Sequence, residues 1–377
     1  MTTTRPRSRI DLEDLRAVLT DRTDLADHPH AETVVDEVLV YDAAHLLAAD
    51  RREVQQELVR AFTHGPGVVV LRGVFPDRAV VDRTTRAFED LIAEQRASGA
   101  TAGDHFAAPG ANDRVWNALE KLAVRAPEVF VEYYANDVLA LVATAWLGPG
   151  YQVTSQVNVV NPGGTAQVGH RDYHLGFLAP EVIEQYPAHV QRLSPVLTLQ
   201  GAVAHSDMPV ESGPTLYLPH SQKYEPGYRA MHRPEFQEYF ERHHVQLPLE
   251  VGDAAFFNPA VMHAAGHNRS TDIRRMANLL QISSAFGRAM ESVDRERMCL
   301  ALYPALREHP DAAGTANAVA AAAEGYPFPT NLDRDPPVDG LAPPSQADVL
   351  RRALAEGWEP AALTTALAEH AARRRTA

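Results

Sequence analysis

A chain of 377 residues, 45% hydrophobic and 22% charged, has the make-up of a globular protein with two domains or one elaborated domain. Its formal net charge of −14 argues against a surface for nucleic acid or anionic lipid, and no apolar run is long enough to cross a bilayer. The single cysteine, Cys299, excludes an intramolecular disulfide and a cysteine metal cage, so a metal site has to be built from histidine and carboxylate.

The first twenty residues carry no apolar signal-peptide core, which predicts a cytoplasmic protein. Asp42 is placed to cap a helix over 43–62, and Gly65-Pro66-Gly67 ends it before a short buried strand at 68–73. Further helices are predicted over 77–97 and 127–146, each with an apolar face to pack on a sheet. From Tyr151 the texture changes to short β-branched runs between Gly/Pro turns. Strands are predicted at 151–161, 196–205, 214–219, 253–266 and 274–284, the pattern of a sandwich or barrel. The aromatic, charged stretch 221–244 reads as an inserted lid or helix. Past Arg288 the chain turns helical, crosses a Pro/Asp linker at 327–344 and ends in an amphipathic helix over 345–374. The expected organisation is a helical region 1–150 with one short strand, a β core 151–288 interrupted at 221–246, and a helical extension 289–377.

The chemistry centres on GHRDYHLGF, 169–177. Side chains two apart on a strand share a face, so His170 and Asp172 can reach one ion. His263 ends an apolar strand far along the chain, where a surface histidine is not expected. Together they make the two-histidine, one-carboxylate facial set of non-haem iron(II) oxygenases. Three protein ligands leave three positions open, two for a keto acid and one for dioxygen. After a turn over 266–272, Arg274 returns toward the metal, where its planar fork can grip the distal carboxylate of 2-oxoglutarate. Arg275 is the fallback, because alternation places it on the opposite face.

Three ordered segments, VNPGGTAQVGHRD, ESGPTLYLPHSQK and GDAAFFNPAVMHAAGHNRSTDIR, resemble the phytanoyl-CoA dioxygenase-like family of iron(II)/2-oxoglutarate oxygenases, over about 152–281. The resemblance implies iron held by His170, Asp172 and His263, 2-oxoglutarate held by Arg274, and dioxygen as co-substrate. It also implies a mainly β chain: a double-stranded β-helix, a cupin-like jelly roll, with flanking helices. His220 and Gln222 depart from the family's turn without touching the metal set. Retention of Asp172 separates the chain from related halogenases, which carry a small residue there.

Other candidates are less constrained. Gln156 and Asn158 alternate on the strand before the triad and could reach 2-oxoglutarate or lie on an exposed face; Thr215 could donate a hydroxyl to the same ligand. Tyr173, His174 and Phe177 are placed to line the mouth of the barrel. His205 and His267 could hold substrate or be polar loop residues, and Trp116 and Asn117 could form an aromatic wall or belong to the core. The function expected is hydroxylation, or another oxidation, of a C–H bond in a small organic molecule, with no nucleic acid, membrane or obligate protein partner and with oligomerisation open. Two alternatives stand beside it: an acyl-CoA hydroxylase of the same family, and a cupin-like metal protein without oxidative chemistry, which needs no keto-acid clamp.

Overall fold

Eleven strands form among the described residues, which are 10–98, 112–338 and 340–376 of the computed structural model. In chain order they are β1 (Thr33–Val35), β2 (Val38–Asp42), β3 (Val68–Arg72), β4 (Asn112–Val115), β5 (Gln152–Val160), β6 (Thr198–Ala204), β7 (Leu216–Leu218), β8 (Val245–Gln246), β9 (Ala254–Phe257), β10 (Met262–Ala264) and β11 (Arg275–Ser283). Eight make a mixed sheet in the order β1-β2-β3-β9-β6-β11-β5-β4, in which β2 and β3 run parallel and the other neighbours antiparallel. The other three make a small antiparallel sheet, β10-β7-β8. The large sheet takes β1 to β4 from before residue 151, so the N-terminal third enters the sheet as well as packing on it.

Alternation divides the large sheet into two environments. One face, with Val153, Val157 and Val159 of β5 and Met276, Leu280 and Ile282 of β11, is buried under helices from both ends of the chain. The other turns Val68 and Val70 of β3 and Phe257 of β9 toward Tyr217 of the small sheet. The functional cavity lies on this second face.

Several elements differ from the sequence expectation. The described residues are 47% helical and 16% strand, which corrects the expectation of a mainly β protein. Its short strands are wrapped in helices at both ends. The helix expected over 43–62 is two, Ala43–Ala48 and Arg51–Thr63, because Asp50 accepts from the Arg52 and Glu53 amides and starts a new helix. Asn136 likewise divides the expected 127–146 helix by capping Asp137–Leu147. The C-terminal helix breaks at Gly357, whose φ of +65° ends Gln346–Glu356 before Pro360–Arg374. The strand expected over 253–266 is also two. At Asn258 the chain leaves the large sheet and turns a corner, held by Asn258 N–H on the Gly67 carbonyl and by its Oδ1 on the Ala260 amide, and re-forms as β10 in the small sheet. That corner brings His263 opposite the large sheet. No helix among the described residues is long and apolar enough to cross a membrane.

The caps carry a measurable share of stability. Replacing Asp50 by alanine removes two hydrogen bonds at a helix start and is expected to cost about 1 kcal/mol in urea unfolding. The capped helix packs on the outer face of the large sheet, so metal uptake should stay as in the parent chain; an unchanged unfolding midpoint would show that the cap adds nothing.

Candidate metal centre

His170 forms a bridge to His263, each backbone N–H donating to the other's carbonyl at 2.9 and 3.0 Å. The Asp172 amide then reaches the Pro259 carbonyl at 3.2 Å. The His170–Asp172 stretch is thus an extended edge laid against β10, and alternation sends both side chains inward while Arg171 points away. His170 Nδ1 lies 2.9 Å from the Val168 carbonyl, and His263 Nδ1 lies 2.9 Å from the Val261 carbonyl. A carbonyl can only accept, so both Nδ1 atoms donate to main chain, which leaves the Nε2 of each ring as the atom that can face a metal. These Nε2 atoms sit 3.6 and 3.5 Å from the two carboxylate oxygens of Asp172, and the three donors all fall within 4.8 Å of one another.

Electrostatics keep the set ready for a cation. Burial pushes the Asp172 carboxyl up, but His170, His263 and the Gln200 amide outweigh it and hold it well below the usual carboxylate range. Burial lowers the His170 imidazole against the opposing pull of Asp172, which favours the neutral ligand form. Gln200 Nε2 donates to Asp172 Oδ2 at 2.6 Å, so its amide orientation is fixed and its Oε1 is left without a partner. Two imidazoles and a carboxylate converging on a cavity wall could hold one metal ion, the donor set of the two-histidine, one-carboxylate class.

The cavity encloses about 470 Å³ between the two sheets. Gln156 and Asn158 of β5 face into it, as does Thr215 at the start of β7; Trp116 and Phe177 also line it, Phe177 at 53% exposure. The structure places the other candidates elsewhere. Directly after Asp172 the chain reverses through Tyr173 and His174, both at positive φ, and this turns their side chains out of the cavity. Tyr173 is buried, and His174 Nδ1 meets Ser194 Oγ at 3.3 Å. Asn117 adopts a left-handed conformation and gives its backbone N–H to Glu291, so it forms no part of the wall. His205 lies on the helix side of the sheet between Thr85 and Tyr133 hydroxyls, where burial pushes it down to about 3. His267 sits in the loop after β10, its carbonyl against Gly213, outside the cavity.

Arg274 requires a correction. It is 49% exposed and lies 3.8 Å from Glu89 and 3.9 Å from Asp113, outside the cavity, while its neighbour Arg275 is 6% exposed and lines it. The register explains the exchange. Ala277 pairs with Asn158 and Leu279 with Gln156, so the odd residues of β11 share the inward face of β5, and Arg275 is odd. The even residues Met276 and Leu280 face the helices, and Arg274 follows them toward the helix Arg78–Ala97. Burial pushes the Arg275 guanidinium down to about 10, still cationic at neutral pH, and among the described residues the titratable group acting on it is the Tyr217 hydroxyl. The 221–244 stretch is helical in part, Gly227–Ala230 and Pro234–His243, but contributes nothing to the cavity wall, which corrects its reading as a lid. The sequence reading missed Gln200 and Gln281, which line the cavity with amide oxygens lacking partners. A lone glutamine inside an apolar strand was the available signal.

The family model of phytanoyl-CoA dioxygenase (PhyH) matches residues 63–276, more than half of the chain, and the chain belongs to that family. No curated protein matches it. Among solved structures it is similar to the non-heme alpha ketoglutarate dependent epimerase SnoN from nogalamycin biosynthesis, at 21% identity over 62% of this chain and 84% of that one, with a TM-score of 0.41. It is similar also to the non-heme alpha ketoglutarate dependent carbocyclase SnoK, at 21% identity over 63% and 87% with a TM-score of 0.47, and to EvdMO1, at 18% over 61% and 50% with a TM-score of 0.44. The residues present fit iron(II) as a metal and 2-oxoglutarate as a co-substrate. Imidazole and carboxylate suit iron(II), and a buried guanidinium without a carboxylate partner suits the far end of a dicarboxylate.

Proposed function

We propose that the chain is an iron(II)/2-oxoglutarate-dependent dioxygenase that oxidises an unactivated C–H bond of a small organic molecule, in the simplest case by hydroxylation. The observation that carries this reading is one cavity with a three-donor metal set on its wall and a buried arginine, Arg275, also on its wall, with no carboxylate partner among the described residues. When bound, iron(II) with 2-oxoglutarate activates dioxygen, and the co-substrate leaves as succinate and carbon dioxide. In this reading the two-sheet core is the double-stranded β-helix of the family, with 151–288 as its main part and 1–150 and 289–377 as its supports.

The chain's own residues have separate tasks. His170, Asp172 and His263 would hold the ion on the cavity wall. Gln200 holds the Asp172 carboxylate in one rotation. Arg275, not Arg274, grips the C5 carboxylate of 2-oxoglutarate, with Thr215 and Asn158 near it as hydrogen-bonding groups. Phe257, whose ring lies 4.6 Å from that of His263, keeps water from the metal's flank. A volume of about 470 Å³ is within the range of roughly 300–1,000 Å³ that holds drug-sized ligands, so co-substrate and a compact organic substrate can share it. Apolar Val168, Phe177 and Met290 at the exposed rim suit an apolar substrate better than the phosphates of an acyl-CoA.

Anaerobic titration tests the assignment. Adding 2-oxoglutarate to the iron(II)-loaded chain is expected to produce the weak visible charge-transfer band of the chelate, at one equivalent of each. Iron uptake without that band would support a metal protein with a different, non-oxidative role.

A further inference from the structure

Arg171 stands between two of the metal ligands and is itself 2% exposed. It points away from the cavity into the 221–237 stretch, which has no share in the cavity wall. A buried guanidinium costs several kcal/mol unless its donors are met, and here main-chain carbonyls meet Nη2 and a ring lies against the group instead of a carboxylate, while Nε has no partner. Its Nη2 donates to the carbonyls of Ser221 and Tyr224, and its Cζ lies 5.3 Å from the centre of the Tyr228 ring. Two glycines make the room. A Cβ on Gly227 would fall 1.8 Å from Arg171 Cζ, and one on Gly176 would fall 1.9 Å from the Arg171 carbonyl oxygen.

The same stretch touches the backbone beside every metal ligand. Tyr228 donates its hydroxyl to the Asp172 carbonyl at 3.0 Å, and Gln237 Nε2 donates to the Gly169 carbonyl, just before His170, at 2.6 Å. Ser221 Oγ accepts the Met262 amide, just before His263, at 2.8 Å, and Met231 Sδ accepts the Arg171 amide at 3.3 Å. Helices over the cavity would have to face it. These instead grip its metal-bearing loop from behind.

We propose that Arg171 is a positioning residue for the metal centre: its buried guanidinium ties the 221–237 stretch to the loop carrying His170 and Asp172 and fixes where their donor atoms point. The inference rests on the metal reading of that triad and adds what holds the triad in place. Outer contacts of this kind change metal affinity by roughly 10- to 100-fold.

The test measures iron(II) release from the full chain to a ferrous chelator under anaerobic conditions, well below each variant's Tm. Arg171→Met, which keeps length and loses charge and donors, is expected to release iron at least tenfold faster. Arg171→Lys should recover part of this, because an ammonium cannot reproduce the fork over two carbonyls. Tyr228→Phe, missing one oxygen, should fall between Arg171→Met and the parent. Tyr303→Phe is the control. It removes buried hydrogen bonds among the C-terminal helices and should lower Tm with iron release unchanged. Parent-like release from folded Arg171→Met, or from Tyr228→Phe if the arginine variant does not fold, would overturn the proposal while leaving the metal reading intact. A parent chain that takes up no iron would instead overturn the reading of the triad, and this inference with it.

Discussion

Asp172→Ala is expected to strip iron from the centre while leaving the fold standing. Structural zinc sites bind with roughly 10–16 kcal/mol over four ligands, so one ligand is worth about 3 kcal/mol, more than a hundredfold at 1.4 kcal/mol per tenfold. Iron(II) lies below zinc in the divalent affinity order, so it starts with less affinity to lose. Two further consequences make Asp172 the most sensitive position. Its carboxylate faces both imidazoles at 3.6 and 3.5 Å, and without it the set loses its one anionic donor to a divalent ion. It is also the acceptor for Gln200 Nε2, which would swing free and no longer shape the cavity floor. His170→Ala and His263→Ala should behave alike. His267→Ala, outside the cavity, should not. Metal analysis after gel filtration decides it: iron retained at the parent level in any two of the three ligand variants would remove the basis for a metal centre here.

The triad was legible because each half of it broke a local expectation. A histidine and an aspartate two apart at the end of a Gly/Pro turn, and a histidine closing the apolar run VMHAAG, are residues that burial disfavours unless something satisfies them. Gln156 and Asn158 stayed open between the cavity and an exposed face, and the pairing of β5 with β11 puts them inward, with the intervening valines in the core. What the sequence left dark depends on long-range pairing. The bend at Asn258 that moves His263 into the second sheet is held by the Phe62 and Gly67 carbonyls, contacts no local pattern predicts. Helix breaks at Asp50 and Asn136 lay in plain view as capping residues but were overridden by apolar periodicity running through them. The 221–244 stretch looked like a lid because it is aromatic and charged. Its aromatics Tyr224, Phe236 and Phe240 are instead buried, two of them against the N-terminal helix Leu12–Val18.

Arg275→Ala is expected to raise the 2-oxoglutarate requirement by roughly 30-fold to a few thousandfold, the 2–5 kcal/mol of leaving a buried carboxylate without its charged partner. Arg274→Ala should leave it unchanged. The two neighbours differ by one position and occupy different worlds. Arg274 is half exposed, and its pairing with Glu89 and Asp113 at 3.8 and 3.9 Å is a surface contact worth about 0–1 kcal/mol to stability. Arg275 is on the inward face with Ala277, Leu279 and Gln281, and the residue types themselves recorded this. Met276, Leu280 and Ile282 mark the even positions as the core side, which leaves the odd ones for the cavity. Counting forward from His263 fails because the irregular loop between β10 and β11 does not preserve strand parity. Arg275→Lys should be intermediate, since a point charge replaces one half of a fork-to-carboxylate contact and loses its geometry. The charge-transfer titration separates the outcomes. Arg275→Ala should still take up iron but need far more 2-oxoglutarate to develop the band, with kcat at saturation much less affected than KM. If Arg274→Ala shows that pattern and Arg275→Ala does not, then the register of β11 against β5 is shifted by one residue, and the inward faces assigned to both strands have to be exchanged.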